Sequence, residues 1–307
     1  MLKFISFWYN LIGDIMKVIK DFDEYKILDL ANGNKYESWN GITLVRPDPE
    51  VIWNDQLTDK EWKCDAYYTR SNKGGGAWTK NNNRLKDSWT IRYKDLTFNL
   101  KLMGFKHTGL FPEQAYNWNI IRDRIKSANR KVKVLNLFAY TGGATMAALA
   151  EHAVVTHVDS SRGMIDWAKE NVKSCHLENE ECHFLVDDVV KFVDREVRRG
   201  HKYDIIIMDP PSFGRGANKE VWNIETDLYD LVKKCSEILS DDPIMFLINS
   251  YTTGLSQTVL ANILELTVNK KYKGSITTDE IGLPVQDSNI ILPCGIFARW
   301  DGANYED

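Results

Sequence analysis

The stretch KVLNLFAYTGGAT, residues 133–145, decides the fold. It opens with the short apolar run KVLNLF, of the length and texture of a strand buried on both faces. A turn follows, and the Gly142–Gly143 pair opens a helix. Working outward, the same alternation repeats. AVVTHVD is a second strand with SRGMIDWAKENVKS as the helix after it, and CHFLVDD, YDIIIMD and PIMFLIN are further strands of the buried type. Helical patterns lie near 188–199, 224–239 and 255–268. Upstream, PEQAYNWNIIRDRIKSA places a proline at a first helical position, with Ala115, Trp118, Ile121 and Ile125 at helical spacing. Strands alternating with helices imply βαβ units, hence an α/β fold with a doubly wound, Rossmann-like, mostly parallel sheet.

Residues 20–110 have a different texture. Short runs such as KILDL, GITLV and WTIRY are broken by Pro, Gly and Asn-Gly clusters, and Asn32-Gly33 and Asn40-Gly41 are hairpin-turn signals. The expected organisation is an N-terminal extension at 1–19, a small β-rich substrate-recognition domain at 20–106, and an α/β domain at 107–307. The 307 residues carry 43% hydrophobic and 27% charged side chains and a net charge of −4. These values exclude a disordered chain and a disulfide scaffold, and they supply no global attraction to nucleic acid. Five scattered cysteines without a CxxC pair read as free thiols of a reducing cytoplasm. The first nineteen residues are too short and too polar to span a bilayer and lack a cleavage site, so they read as an amphipathic helix or a start at Met16.

In an open α/β sheet, ligands bind beyond the carboxyl ends of the strands. The first strand is followed by Phe138, Ala139, Tyr140, Thr141, Gly142 and Gly143, where glycines let backbone approach a ligand and a helix start offers free N–H groups. The second ends at Asp159, suited to the two hydroxyls of a ribose. The third ends at Asp187-Asp188, and the fourth at Asp209-Pro210-Pro211-Ser212. The compact G-x-G-x-x-G of a nicotinamide dehydrogenase is absent. One glycine pair followed by these acids fits a nucleoside carrying an amino acid tail, namely S-adenosylmethionine.

VLNLFAYTGGAT, VDSS, DD and DPPSFGRG together resemble a class I S-adenosylmethionine-dependent methyltransferase. They are most similar to the family of large-subunit ribosomal RNA cytosine-C5 and guanine-N7 methyltransferases. The resemblance covers roughly residues 100–300 and includes HTGLFPEQ at 107–114. It implies that Phe138, Tyr140, Thr141, Gly142 and Gly143 line the methionine end of the cofactor. Asp159 would bind the ribose, with Ser160 close by, and Asp188 would take the adenine amine, with Val189 beside the ring. Phe111 and Gln114 would cover the cofactor. Asp209 and Pro210 would face the methyl, with Pro211 and Ser212 completing a rigid acceptor-orienting loop.

One departure bears on the chemistry. Cytosine-C5 transfer needs a thiol to attack the ring, and the family carries it just after the fifth strand. Here that stretch is Ile248-Asn249-Ser250-Tyr251-Thr252-Thr253-Gly254, without cysteine. A ring or exocyclic nitrogen needs no covalent catalysis, and Asn249 could bond a base edge. The repeat Cys175-His176 and Cys182-His183 hints at a metal site. The first pair ends a helix, though, and strand alternation sends Cys182 and His183 to opposite faces, so no metal is expected.

Residues 60–106 hold eleven Lys or Arg against four acids, interleaved with Trp62, Tyr67, Tyr68, Trp78, Trp89 and Tyr93. This is either an RNA-facing surface or a solvated domain with a Trp-rich core. Lys73-Gly74-Gly75-Gly76 reads as a flexible loop. The expected function is therefore methylation of a base of ribosomal RNA. Two alternatives stay open. Residues 116–307 carry six more acids than bases, which also allows a protein or small-molecule acceptor. The other is a non-catalytic cofactor- and RNA-binding module, against which the set Asp159, Asp188 and Asp209 argues.

Overall fold

A computed structural model describes residues 16–71, 75–215 and 221–305. The expected helix within residues 1–15, Lys73-Gly74 and Gly216 lie outside the described residues. The chain forms two compact units, one of residues 1–116 with 281–294, the other of residues 117–280 with 295–307.

The first unit is β-rich. Strands β1 (Lys17–Val18), β2 (Tyr25–Ala31), β3 (Asn34–Trp39), β4 (Ile42–Pro47), β5 (Ala66–Arg70), β6 (Gly76–Lys80), β7 (Ser88–Tyr93) and β8 (Leu96–Lys101) follow one another. A five-stranded sheet runs in the order β2-β3-β4-β5-β6, and β7 and β8 pair separately. Both Asn-Gly signals are hairpin turns. Asn32 and Gly33 have φ of 51° and 72°, and Asn40 and Gly41 of 51° and 83°, the two positive values that a type I′ turn requires. Ile27, Leu30, Trp39, Leu44, Ile91 and Phe98 form the interior, each fully buried.

That interior also holds charge. Glu37, fully buried, accepts from Arg46 Nε and Nη2 at 2.6 and 2.7 Å and from the Tyr25 hydroxyl at 2.7 Å. Arg46 donates its remaining nitrogen to the Lys106 carbonyl at 3.0 Å, which fastens the start of HTGLFPEQ within this unit.

After a 3-10 turn at Pro112–Gln114 come α1 (Ala115–Ser127), β9 (Lys133–Leu137), α2 (Gly143–Leu149), β10 (Val154–Asp159), α3 (Arg162–Ser174), β11 (Cys182–Val186) and α4 (Val189–Arg199). Then follow β12 (Ile205–Met208), β13 (Phe213–Arg215), β14 (Val221–Asn223), α5 (Ile224–Glu237), β15 (Met245–Ser250), α6 (Gln257–Leu264), β16 (Gly274–Pro284) and β17 (Ile291–Gly302). The strand order of the sheet in the second unit is β16-β17-β15-β12-β9-β10-β11. β15, β12, β9, β10 and β11 are parallel, and β17 returns antiparallel to β15. From β9 the chain steps to β10 and β11 on one side, then crosses to β12 on the other. This reversal is the topological switch point, beside the carboxyl ends of β9 and β12.

Burial explains why these strands read as apolar runs: Val134, Leu135, Leu137, Ile205, Ile206, Met208, Phe246 and Ile248 are all inaccessible. The sequence reading missed β13, β14, β16 and β17. The first two are three residues each, and the long last two mix polar with apolar residues and are only partly buried over much of their length. Among the described residues no helix is long and apolar enough to cross a membrane.

Candidate active site

Five strand ends meet at one edge of the parallel sheet, and hydrogen bonds tie each to its neighbour. Beyond β9 the backbone is forced into the left-handed region three times, at Phe138 (φ 54°), Tyr140 (φ 52°) and Gly142 (φ 87°). Two aromatic residues in that region within three positions store strain of a kind that clusters at functional sites. Several contacts hold the loop. Ala139 N donates to Val158 O at 3.1 Å, Tyr140 N to Asp159 Oδ2 at 2.8 Å, and Asn171 Nδ2 to Thr141 O at 2.9 Å.

The glycine pair serves this packing. A Cβ on Gly142 would meet Met146 Cε at 3.2 Å and Ala168 Cβ at 3.3 Å. One on Gly143 would lie 2.6 Å from Trp118 Cζ2. The absence of Cβ atoms at these two positions thus lets the loop pack closely onto α3 and α1.

Asp159 receives two backbone N–H groups, Tyr140 N on Oδ2 and Ser161 N on Oδ1, each at 2.8 Å. Every carboxylate oxygen keeps a second lone pair, so both ribose hydroxyls can be met. Burial pushes the Asp159 carboxyl up despite these two donors. Ser160 is exposed beside it. Asp187 N donates to Asp159 O at 3.1 Å, linking β11 to β10. The two neighbouring acids divide their work. Asp187 pairs with Arg195, and Asp188 caps α4 by accepting from Lys191 N at 2.9 Å. Val189 is 4% exposed and packs in the core with Phe192 and Val193.

Beyond β12, Asp209 N reaches Leu137 O at 3.5 Å, holding the fourth strand end against the first. The loop Pro210-Pro211-Ser212 is braced from outside. Trp222 Nε1 donates to Pro211 O at 2.7 Å, Ile224 N to Ser212 O at 3.1 Å, and the Ser212 and Thr252 hydroxyls share a hydrogen bond of 2.7 Å. Trp222, on the β13–β14 hairpin, also rests on the Phe138 ring with centroids 5.1 Å apart. Sequence reasoning missed this brace; an isolated Trp thirteen residues past Asp209 carries no signal without the hairpin. Asn249, at the end of β15, is 3% exposed and accepts from Asn117 Nδ2 at 2.8 Å. Phe111 and Gln114 belong to the other unit, where the Phe111 ring lies 5.3 Å from His107 and Gln114 N donates to Phe111 O.

Beneath the loop lies a second feature the sequence did not disclose. Asn136 Nδ2 donates to Thr145 Oγ1 at 3.0 Å, and that oxygen lies 2.9 Å from His157 Nδ1. Burial holds the His157 pKa down to about 3. A depressed histidine pKa supplies stability that is complete above about 6.5 and is lost as pH falls toward 3. Between pH 7 and 5 the wild type is expected to lose about 2 kcal/mol more than His157→Gln, at about 1.4 kcal/mol per unit below the unfolded pKa. Urea unfolding at the two pH values checks this, and equal losses would refute it.

The donor set fits S-adenosylmethionine. Asp159 suits a diol, Asp188 an exocyclic amine, and the acids along this edge suit a sulfonium cation. Among the described residues no group of three His, Cys, Asp or Glu side chains is placed to hold a metal.

Comparison with known proteins agrees. The profile of the S-adenosylmethionine-dependent methyltransferase family matches residues 70–260. The crystal structure of a SAM-dependent methyltransferase from Agrobacterium tumefaciens superposes with a TM-score of 0.89 at 32% identity, covering 94% of this chain and 93% of that one. The fold is shared by SMU.776, solved in complex with SAH, at 19% identity and a TM-score of 0.71 over 97% of this chain and 79% of that one. Among curated relatives, the ribosomal RNA large subunit methyltransferase K/L of Shewanella frigidimarina is 31% identical over 202 residues, 65% of this chain. The match spans 26% of that relative's length. This chain belongs to the family of S-adenosylmethionine-dependent methyltransferases and depends on that cofactor as its methyl donor.

Proposed function

We propose that this chain methylates a base of ribosomal RNA in the cytoplasm, at a ring or exocyclic nitrogen and without a cysteine nucleophile. The observation that carries the acceptor chemistry is the stretch at the end of β15 and just beyond it, Ile248 to Gly254, which holds no cysteine. Cys235 is fully buried in α5, and burial pushes its thiol up. Cys294 is raised by burial, and the Cys182 thiol is pushed up to about 12. None of these is poised as a thiolate at neutral pH. A nitrogen lone pair needs only placement, about 3 Å from the methyl and in line with the breaking S–C bond. The RNA acceptor is supported by the curated relatives, whose names state ribosomal RNA, and by the eleven basic residues of 60–106.

In this reading Phe138, Tyr140, Thr141, Gly142 and Gly143 hold the methionine end, Asp159 and Ser160 the ribose, and Asp188 with Val189 the adenine. Phe111 and Gln114 cover the cofactor. Asp209, Pro210, Pro211 and Ser212 orient the acceptor. Asn249, whose amide oxygen accepts from Asn117, hydrogen-bonds a base edge of the acceptor.

Transfer of labelled methyl to total RNA, with total protein as the competing acceptor, tests the function; label confined to protein refutes it. RNA containing 5-fluorocytosine is expected to leave no covalent adduct, and an adduct mapped to any cysteine would restore cytosine-C5 methylation. Asp159→Ala is expected to weaken S-adenosylmethionine binding by about 1.5–3 kcal/mol, the usual range for hydrogen bonds to a charged group. Calorimetry reads this directly, and an unchanged affinity would remove Asp159 from the site.

A further inference from the structure

The first unit contains an open cleft of about 530 Å3, within the size range of small-ligand sites. One wall is aromatic. The Trp62 indole stacks on Tyr36, with ring centroids 5.5 Å apart and planes 20° from parallel. Both rings are anchored by their polar ends. Trp62 Nε1 donates to Asp29 Oδ2 at 3.0 Å, and the Tyr36 hydroxyl donates to Lys63 O at 2.7 Å. Asp29 is itself 2% exposed, and its other oxygen accepts from Leu30 N at 2.8 Å and Leu57 N at 3.1 Å. The wall is thus fixed before any ligand arrives, while both rings remain partly accessible. The rim carries Lys60 and Lys63, both exposed, with Glu61 between them in the chain.

Among the other aromatics of the basic stretch Tyr67 is exposed, whereas several are committed to the fold. Tyr68 and Tyr93 are 5% and 1% exposed, and Trp78 Nε1 donates to Met103 O at 2.8 Å. Tyr68 and Tyr93 belong to the buried interior, and Trp78 is fixed by its hydrogen bond. Trp62 differs in standing at a cleft with lysines beside it.

We infer that this cleft binds a nucleotide of single-stranded RNA, its base stacked on the Trp62–Tyr36 wall and its flanking phosphates held by Lys60 and Lys63. A pre-ordered aromatic wall suits an unpaired base of any identity, because every base has a π-face. The lysines and the local excess of seven positive charges in 60–106 suit a polyanion. The inference rests on the reading of RNA as the acceptor.

The test uses the full chain and a fluorescein-labelled ten-residue oligouridylate, followed by anisotropy over a range of salt. Trp62→Ala is expected to weaken binding about 5- to 150-fold, the range measured for one stacked base. Trp62→Phe, which keeps a stacking face, should retain most of the affinity. Lys60→Ala with Lys63→Ala should flatten the slope of log K against log salt by about 1.4, at about 0.7 per phosphate of a single strand. Should Trp62→Ala fail to fold, the lysine pair and Trp62→Phe decide the matter.

Unchanged affinity together with an unchanged salt slope overturns the site. So does preferential binding of a polyglutamate peptide, which would make the cleft a protein-docking surface. Binding is read without cofactor or turnover. Oligonucleotide binding lost on these substitutions, with no methyl transfer to RNA, would therefore refute the proposed acceptor and leave the cleft standing.

Discussion

Asp209→Ala lowers the rate of methyl transfer by about 10²–10⁴-fold, while S-adenosylmethionine still binds. The size follows from what the residue does. Displacement at a sulfonium methyl demands that the acceptor lie in line and in contact, and misplacement by about 1 Å costs on the order of a hundredfold. A carboxylate that also takes up or steers an acceptor proton adds the usual 10²–10⁴ of acid–base assistance. In the proposed reading Asp209 is that group; it follows β12 beside the switch point, its backbone N–H reaching Leu137 O. The loop behind it is held by Trp222 and Ile224, so losing one side chain removes positioning without collapsing the loop. Turnover and cofactor affinity are measured separately, the first by label transfer and the second by calorimetry. A variant that loses cofactor binding and turnover in equal proportion would reassign Asp209 to the cofactor.

The second large effect is on stability. Arg46→Met costs about 3–5 kcal/mol, the usual loss when one partner of a buried ion pair is removed. Burial by itself raises the Glu37 carboxyl, yet Arg46, Lys35 and the hydrogen bonds from Arg46 and Tyr25 bring it down to about 2. With Arg46 gone, Glu37 remains fully buried, with Lys35 Nζ at 3.8 Å as its nearest cation. The guanidinium also lies 5.2 Å from the Trp39 ring centroid and binds the Lys106 carbonyl, so packing is lost along with charge.

The pH dependence has a defined sign. A depressed carboxylate pKa gives stability that is present above about 4.5 and is lost as pH falls toward 2. Removing Arg46 takes away that acid-sensitive increment. Urea unfolding of Arg46→Met and of Glu37→Leu with Arg46→Met checks the argument. The double substitution should recover much of the loss, because no uncompensated charge stays buried. A deficit below about 1 kcal/mol in the single variant would show that water reaches the pair.

Much of the site was legible because its signals are local. A parallel strand buried on both faces is mostly apolar, so β9, β10, β12 and β15 stand out as runs, and whatever follows each run marks a strand end. Asn32-Gly33 and Asn40-Gly41 announce type I′ turns because few other pairs tolerate two positive φ values. Asp159, Asp188 and Asp209 were singled out in this way, each at or just past the end of a strand.

What remained hidden depends on contacts between residues distant in the chain. The strand order that makes β9 and β12 neighbours arises from pairing across seventy residues, which no window of sequence contains. That Asp187 meets Arg195 while Asp188 caps α4 is likewise visible only in the folded chain. Trp222 became part of the site only once the β13–β14 hairpin laid it on Phe138 and Pro211. Aromatic and charged residues are the hardest to place from sequence, because the same side chain serves a core or a surface equally well. Tyr93 is buried, Trp62 walls a cleft, and Glu37 sits in the interior only because Arg46, nine positions away, meets it there. Backbone preferences and apolar periodicity are properties of neighbouring residues, whereas burial, pairing and the fate of each charge are properties of the packed chain.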